Sequence, residues 1–310
     1  MERNVEQIKK DIKNLKEISK TSGLDFSDKI VYLEEILKEE ESKKFKSLTP
    51  YEKVSISRDI KRPTALDYIN RIVSNFIELH GDRGFADDRA IIGGIGKIGK
   101  YSVTVVGNQK GSSTEENIYR NFGMANPEGY RKALRLMKQA EKFNRPIVTF
   151  IDTSGAYCGI GAEERGQGEA IARNLMEMSA LKVPVIAIVI GEGGSGGALG
   201  IGVGNEICML EHSVYSVISP EGLSSILFKD SSKAKDACEY MKMTAQDLKE
   251  LKIIDYVIDE PVGGAQNNPD KVAADMKEYV IDRLNYYTKF SGEKIKNHRY
   301  EKFRNIGKYF

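Results

Sequence analysis

A chain of 310 residues, 40% hydrophobic and 30% charged, suffices for one large domain or two small ones and can bury a sizeable core. A net charge of +2 gives no global field toward nucleic acid or membrane, and the longest apolar runs are far too short to span a bilayer. Cys158, Cys208 and Cys238 are isolated and form no CxxC pair, which argues against a metal site or a disulfide framework in this chain; with ERNVEQIKK rather than an apolar leader after Met1, a cytoplasmic protein is expected.

Residues 1–60 are charged and helical in pattern. Val5, Ile8, Ile12 and Leu15 make a narrow apolar seam, and a break at Thr21-Ser22-Gly23 precedes a second helix carrying Ile30, Leu33, Ile36 and Leu37. Its charge run, KEEESKKFK, reads as a solvated face. Thr49-Pro50-Tyr51-Glu52 is a capping box that starts a third helix. The body, 61–310, begins with a helix capped by Thr64, with Ile69, Ile72, Val73, Phe76 and Leu79 on one face and Gly81 at its end. Strands Ala90–Ile95 and Tyr101–Val106 follow around a turn at Gly99-Lys100, then a long irregular connection, NQKGSSTEENIYRNFGMANPEG.

From Pro127 the pattern becomes regular: a helix to Asn144, strand Pro146–Asp152, a glycine loop at 153–159, a helix from Ala162 to Ala180, and strand Val183–Ile190. The unit of buried strand, glycine loop and helix thus occurs twice. Right-handed connections place the loops 153–159 and 191–197 side by side at one end of the sheet. Strands Glu206–Leu210 and Val214–Ile218, a helix at SPEGLSSILF, a helix at 244–250 capped by Thr244, a strand Ile253–Ile258 and a long amphipathic tail helix from Asp270 complete the chain.

The stretch Val183–Gly204 is the most informative. An uncharged apolar run rich in β-branched residues marks a strand buried on both faces, and eight glycines then fall in the fourteen positions from Gly191. Glycine is costly in ordinary structure, so such a cluster implies bare backbone N–H groups close to negative charge, or simply a tight turn with close packing. Gly191, Gly193 and Gly196 fit a dinucleotide fingerprint, with Glu211 placed as a ribose-binding acid, but this leaves the loop 153–159 unexplained and its unit is cramped. Gly193, Ser195 and Gly197 fit a nucleophile elbow. The available bases are His80, His212 and His298, each expected at the surface and none in suitable order. The third reading uses main-chain amides at Gly196 and Gly197 as an oxyanion hole and accounts for both loops, with Asp152 and Glu192 as reactive or bracing acids.

GNQKG, RNFGMANPEGYRKALRLMKQAEKF, PIVTFIDTSGAYCGIGAEERGQGEAIARN, VIGEGGSGGALGIGVGN and YSVISPEG together resemble the family of acetyl-coenzyme A carboxylase carboxyltransferase α subunits, from about Arg62 onward and more loosely before it. The resemblance implies an α/β, crotonase-like (ClpP/crotonase) ββα superhelix with an N-terminal helical extension, 1–60, and a carboxyltransferase domain, 61–310. It implies transfer of the carboxyl group from carboxybiotin, borne by a biotin carboxyl carrier protein that a biotin carboxylase charges, to acetyl-CoA, giving malonyl-CoA for fatty acid synthesis. A β subunit carrying the zinc is expected, in an α2β2 assembly active between α and β. Gly196 and Gly197 would supply the oxyanion amides facing the biotin ureido oxygen. Gly155, Ala156, Gly193, Gly194 and Ser195 would shape the substrate cavity. The alternatives are a biotin-dependent carboxylase or decarboxylase subunit for another acyl-CoA, or a scaffold. Ser154 and Cys158 stand where that family commonly has proline, which predicts a less rigid loop. Glu115, Glu116 and Tyr119 weaken a phosphate patch near Lys110 and Arg120.

Overall fold

The computed structural model describes residues 5–22 and 24–308, which fall into two compact units divided between Thr49 and Pro50. In the first, α1 (Val5–Ser22) and α2 (Ser27–Lys46) close over Ile8, Ile12 and Leu33, with Leu15, Ile30, Ile36 and Leu37 packed alongside. The expected seam therefore finds its partner within this helical pair.

The second unit begins with α3 (Pro50–Ser57) and α4 (Ala65–Ile72). An edge strand, β1 (Ser74–Glu78), and a hairpin of β2 (Ile91–Ile98) and β3 (Tyr101–Asn108) follow, turning at Gly99 with φ +58°. The long connection holds α5 (Thr114–Tyr119) and leads to α6 (Pro127–Lys142), β4 (Ile147–Thr153), α7 (Ile160–Glu164) and α8 (Gln167–Ala180). Next come β5 (Val185–Gly194), α9 (Ser195–Leu199), β6 (Glu206–Leu210), β7 (Val214–Ser216), α10 (Pro220–Leu227) and α11 (Ala234–Met241). The remainder is α12 (Ala245–Glu250), β8 (Tyr256–Ile258), α13 (Pro269–Tyr287) and α14 (Gly292–Asn305).

Among the described residues, eight strands join one sheet in the order β1-β2-β3-β4-β5-β6-β8, with β7 beside the far end of β5. The β1–β3 pairs are antiparallel and the rest parallel. Alternation along β5 explains its uniformly apolar sequence: Val185, Ala187 and Val189 enter the core under α6 and α8, while Ile186, Ile188 and Ile190 enter the core under α4 and α13. No helix among the described residues is long and apolar enough to cross a membrane.

Four expectations are corrected. The helix starting at Ala65 stops at Ile72, and Phe76 belongs to β1. Gly94 and Gly96 of β2 admit this strand, since a Cβ at 94 would lie 2.2 Å from the Ile77 carbonyl oxygen and one at 96 would lie 2.3 Å from Val73 Cγ1. The helix expected over 162–180 breaks at left-handed Gly166, φ +80°. The central strand runs on to Gly194, so only the last glycines form the turn. His212 is buried, 1% exposed, rather than at the surface, and burial pushes its pKa down to about 4. Helix α11 had no counterpart in the sequence reading.

Candidate functional site

The two glycine loops are neighbours, and a slip in the sheet makes them so. Ile151 pairs with Val189, but Thr153 pairs with Gly193, so β5 places three residues opposite Asp152 alone. The Asp152 carboxylate fills the irregularity. It accepts the Glu192 N–H at 2.9 Å, and a Cβ at Gly191 would lie 2.5 Å from its Oδ1. The slip carries β5 forward over Thr153 and Ser154. At Gly194 a Cβ would fall 2.1 Å from the Ser154 carbonyl oxygen, so only glycine fits. The chain then turns into α9 through Ser195, held left-handed at φ +50°, a conformation that costs a non-glycine residue about 1 kcal/mol or more.

The two loops meet beyond this turn, at Gly197 and Ala156. Gly197 packs so closely on the other loop that a Cβ there would lie 2.5 Å from the Gly155 carbonyl carbon and 2.6 Å from the Ala156 nitrogen. Among the described hydrogen bonds, none uses the N–H of Ala156, Gly196 or Gly197 as donor. The adjoining groups are tied down. The Thr153 hydroxyl donates to the Gly155 carbonyl at 2.7 Å and accepts the Gly155 N–H at 3.2 Å. The Tyr157 N–H donates to the Ala125 carbonyl at 3.0 Å, while Gln167 Nε2 donates to the Ala125 and Tyr157 carbonyls. On the other side the Tyr130 hydroxyl donates to the Gly197 carbonyl at 3.4 Å, and Asn174 Nδ2 donates to the Tyr130 and Gly200 carbonyls. Fixed loops with open donors are what a transient oxyanion requires. Gly193 lies under the Tyr215 ring, 2.9 Å from where its Cβ would be, so it shapes the wall.

Two cavities flank the turn. An apolar groove of about 600 Å³ starts at Ser195 and Gly196 and runs past Leu199, Val217, Met241 and Phe303. A second pocket of about 280 Å³ is lined by the charged side chains of Arg58, Lys110, Asp152 and Glu192 together with Phe122 and Ser154. Here charges are paired: Lys110 Nζ is 2.7 Å from Asp152 and 3.8 Å from Glu192, while Arg58 reaches Glu192 and Glu221, each at 2.7 Å. Burial works against the Arg58 charge, but these two carboxylates outweigh it and raise its pKa. Beneath lies a buried fork in which Arg62 grips Glu260 at 2.6 and 2.8 Å and donates Nε–H to the Ile190 carbonyl. Burial opposes the Glu260 charge too, and the guanidinium more than compensates, lowering its pKa.

These positions decide between the sequence readings. None of the described hydrogen bonds joins Ser195 to a histidine: His80 meets Asp87 at 3.1 Å, His212 is buried close to Glu260, and His298 lies against Asn205 and Tyr287. Glu211 accepts the Glu260 N–H, and Gly191 and Gly193 lie inside β5, so the ribose acid and the dinucleotide turn are both lost. Asp152 and Glu192 act as braces. Lys110 is engaged by Asp152, and Arg120 donates to the Arg89 carbonyl. Sequence reasoning missed Arg58, Tyr130 and Asn174. Only a stray buried-polar position in a helical pattern, such as Asn174, offered a signal. Among the described residues no group of three or more His, Cys, Asp or Glu is placed to hold a metal ion.

A family model described as acetyl co-enzyme A carboxylase carboxyltransferase-like matches residues 1–307. The chain is 60% identical over 301 residues to the acetyl-coenzyme A carboxylase carboxyl transferase subunit alpha of Staphylococcus haemolyticus, covering 97% of this chain and 96% of that one. It is 56% identical over 306 residues to the same-named subunit of Alkaliphilus oremlandii, covering 99% and 97%. In structure it is similar to transcarboxylase 12S, determined with methylmalonyl-coenzyme A and methylmalonic acid bound, at TM-score 0.60, 20% identity and coverage of 74% and 43%. It is also similar to the beta subunit of P. aeruginosa geranyl-CoA carboxylase, at 0.58, 15% and coverage of 80% and 46%. At these identities the likeness is one of fold, and the chain spans less than half of either protein.

Proposed function

The chain belongs to the acetyl co-enzyme A carboxylase carboxyltransferase family, and from that premise we propose that it is the α subunit of this transferase, moving a carboxyl group from biotin to acetyl-CoA to give malonyl-CoA, the first committed step of fatty acid synthesis. Its fold is the crotonase-like ββα superhelix. The relatives' shared name favours acetyl-CoA over another acyl-CoA. It works with a β subunit and a biotin carrier. The finer arrangement, α2β2 with zinc in β, a biotin carboxylase upstream and a cytoplasmic site of action, belongs to the same proposal, as do a helical region at 1–60 and a carboxyltransferase domain at 61–310.

The observation that carries the reading is the close packing of Gly197 on Gly155 and Ala156, with the N–H groups of Ala156, Gly196 and Gly197 unused as donors among the described hydrogen bonds. Biotin, when presented here, supplies a carboxyl donor and, after its loss, a proton acceptor. The residues present fit its ureido oxygen: two or three N–H donors on rigid loops, beside an apolar groove suited to a partner surface. Gly196 and Gly197 hold the developing negative charge, one such donor being worth roughly 3 kcal/mol. Gly155 and Ala156 close the opposite wall, Gly193 and Gly194 keep the floor free of side chains, and Ser195 sets the angle of α9. No titratable side chain of this chain is needed at the reacting atoms, which matches the bracing roles of Asp152 and Glu192.

Co-purification with the β subunit, followed by assay of malonyl-CoA decarboxylation with free biotin as acceptor, tests the reading. Turnover by the complex and none by this chain alone is the expected result; a well-formed but inactive complex would overturn it.

A further inference from the structure

We propose that Lys110 is a positioning residue for this reaction, its ammonium holding the β4–β5 slip that brings Gly196 and Gly197 alongside Ala156; the inference rests on the oxyanion reading above. The slip forces two carboxylates into one confined place. Asp152 and Glu192 have side chains 7% and 11% exposed, and the Asp152 carboxylate accepts the Glu192 N–H itself. Left alone, two such charges repel at short range in a medium that screens poorly. Lys110 Nζ sits between them, 2.7 Å from Asp152 Oδ1 and 3.8 Å from Glu192 Oε2.

The other charges near this cluster have other duties. Arg58 of the α3–α4 linker spans Glu192 and Glu221 at the start of α10, and Arg62 is taken by Glu260 and the Ile190 carbonyl. Among the described ion pairs, Lys110 is the one cation that reaches Asp152. Its backbone is set in advance by buried Gln109, which accepts the Leu66 N–H at 2.8 Å and donates to the Thr64 hydroxyl at 3.0 Å and the Lys110 carbonyl at 2.6 Å. Gly123 then lets the next loop close over the stem, a Cβ there falling 3.0 Å from Lys110 Cγ. The lysine therefore reaches the slip from a rigid base, and touches the amides only through Asp152 and the strand that Asp152 holds.

The test uses the α–β complex. Lys110→Met is expected to assemble normally and to lower kcat roughly tenfold to hundredfold, the penalty for misplacing a catalytic group by about 1 Å, with KM for malonyl-CoA within about twofold. Lys110→Arg retains most activity. Lys110→Met/Asp152→Asn recovers much of it, since Asn keeps an oxygen for the Glu192 N–H without the charge. Hydrogen exchange over 190–199 quickens in the single variant and slows again in the double. Unchanged exchange in Lys110→Met, or a double variant no better than the single, overturns the proposal. An inactive wild-type complex showing the predicted exchange pattern would instead remove the functional reading and leave the positioning role standing.

Discussion

At the amino end of β5, the Arg299 side chain of α14 meets the main-chain oxygens; at its carboxyl end glycine predominates, and the N–H groups of Gly196 and Gly197 just beyond it are unused among the described hydrogen bonds. Arg299 of α14 is fully buried. It donates Nη1 to the Met178 and Leu181 carbonyls and Nη2 to Val183 O and Asn205 Oδ1, at 2.5 to 2.9 Å. Asn205 completes the seal, its Oδ1 accepting the Val185 N–H and its Nδ2 donating to Ile295 O. Burial pushes the Arg299 pKa down to about 10, still charged at neutral pH. One end of the strand thus matches a buried cation with oxygens, as stability demands. At the other, the N–H groups of Gly196 and Gly197 have no acceptor among the described hydrogen bonds.

Substitutions at the two ends should therefore separate activity from stability. Gly197→Val is expected to have the largest effect, at least about a hundredfold loss of turnover with β association intact, because its side chain must occupy the place of Ala156 N. A Gly197→Val complex that turns over normally would place the chemistry elsewhere. Arg299→Met is expected to do the reverse: about 3 kcal/mol lost in urea denaturation, from carbonyls left buried without donors, and unaltered kcat in the folded complex. A parallel fall in kcat would mean the ends are coupled.

The Arg62–Glu260 fork, braced against the last core residue of β5, offers a pH reading. The folded-state pKa of Glu260 lies below its ordinary 4.5, so its contribution is present above that value and disappears as the pH falls through the folded pKa. Glu260→Gln should be less stable at pH 7 and should lose less further stability on acidification below about pH 4.5. Equal acid sensitivity in the two proteins would show that this pair does not govern the response. The smallest effect is expected at the exposed loop. Ser154→Pro or Cys158→Pro should stiffen it by about 0.4–1 kcal/mol and leave turnover within about twofold; a large gain in kcat would show that loop motion limits the reaction.

The sequence made the carboxyl end of β5 legible because glycine advertises what it permits. Clustered glycines beside a charge-free strand point to close backbone approach, and the two loops do meet. It was silent where the reason lies in a partner. Ile69, Ile72, Val73 and Phe76 keep helical spacing, yet the chain leaves the helix after Ile72 because Gly94 and Gly96, on another strand, open a lane for β1. Arg58, Lys110 and Asp152 carry ordinary surface-type side chains far apart in the chain, and only the slip in register brings them together. Asn174 and Arg299 are buried through contacts 26 to 121 residues away, which local spacing does not reveal.

The clamp by Arg299 also bears on biosynthesis. The central strand begins at Val185, but the guanidinium that completes its amino end arrives more than a hundred residues later. During translation the nascent sheet must wait with exposed carbonyls until α14 leaves the ribosome, an interval on the order of 6 to 23 seconds at about 5–20 residues per second. Over that window the half-built domain is a natural client for chaperones, and a frameshift shortly before Arg299 would yield a chain that never gets past it.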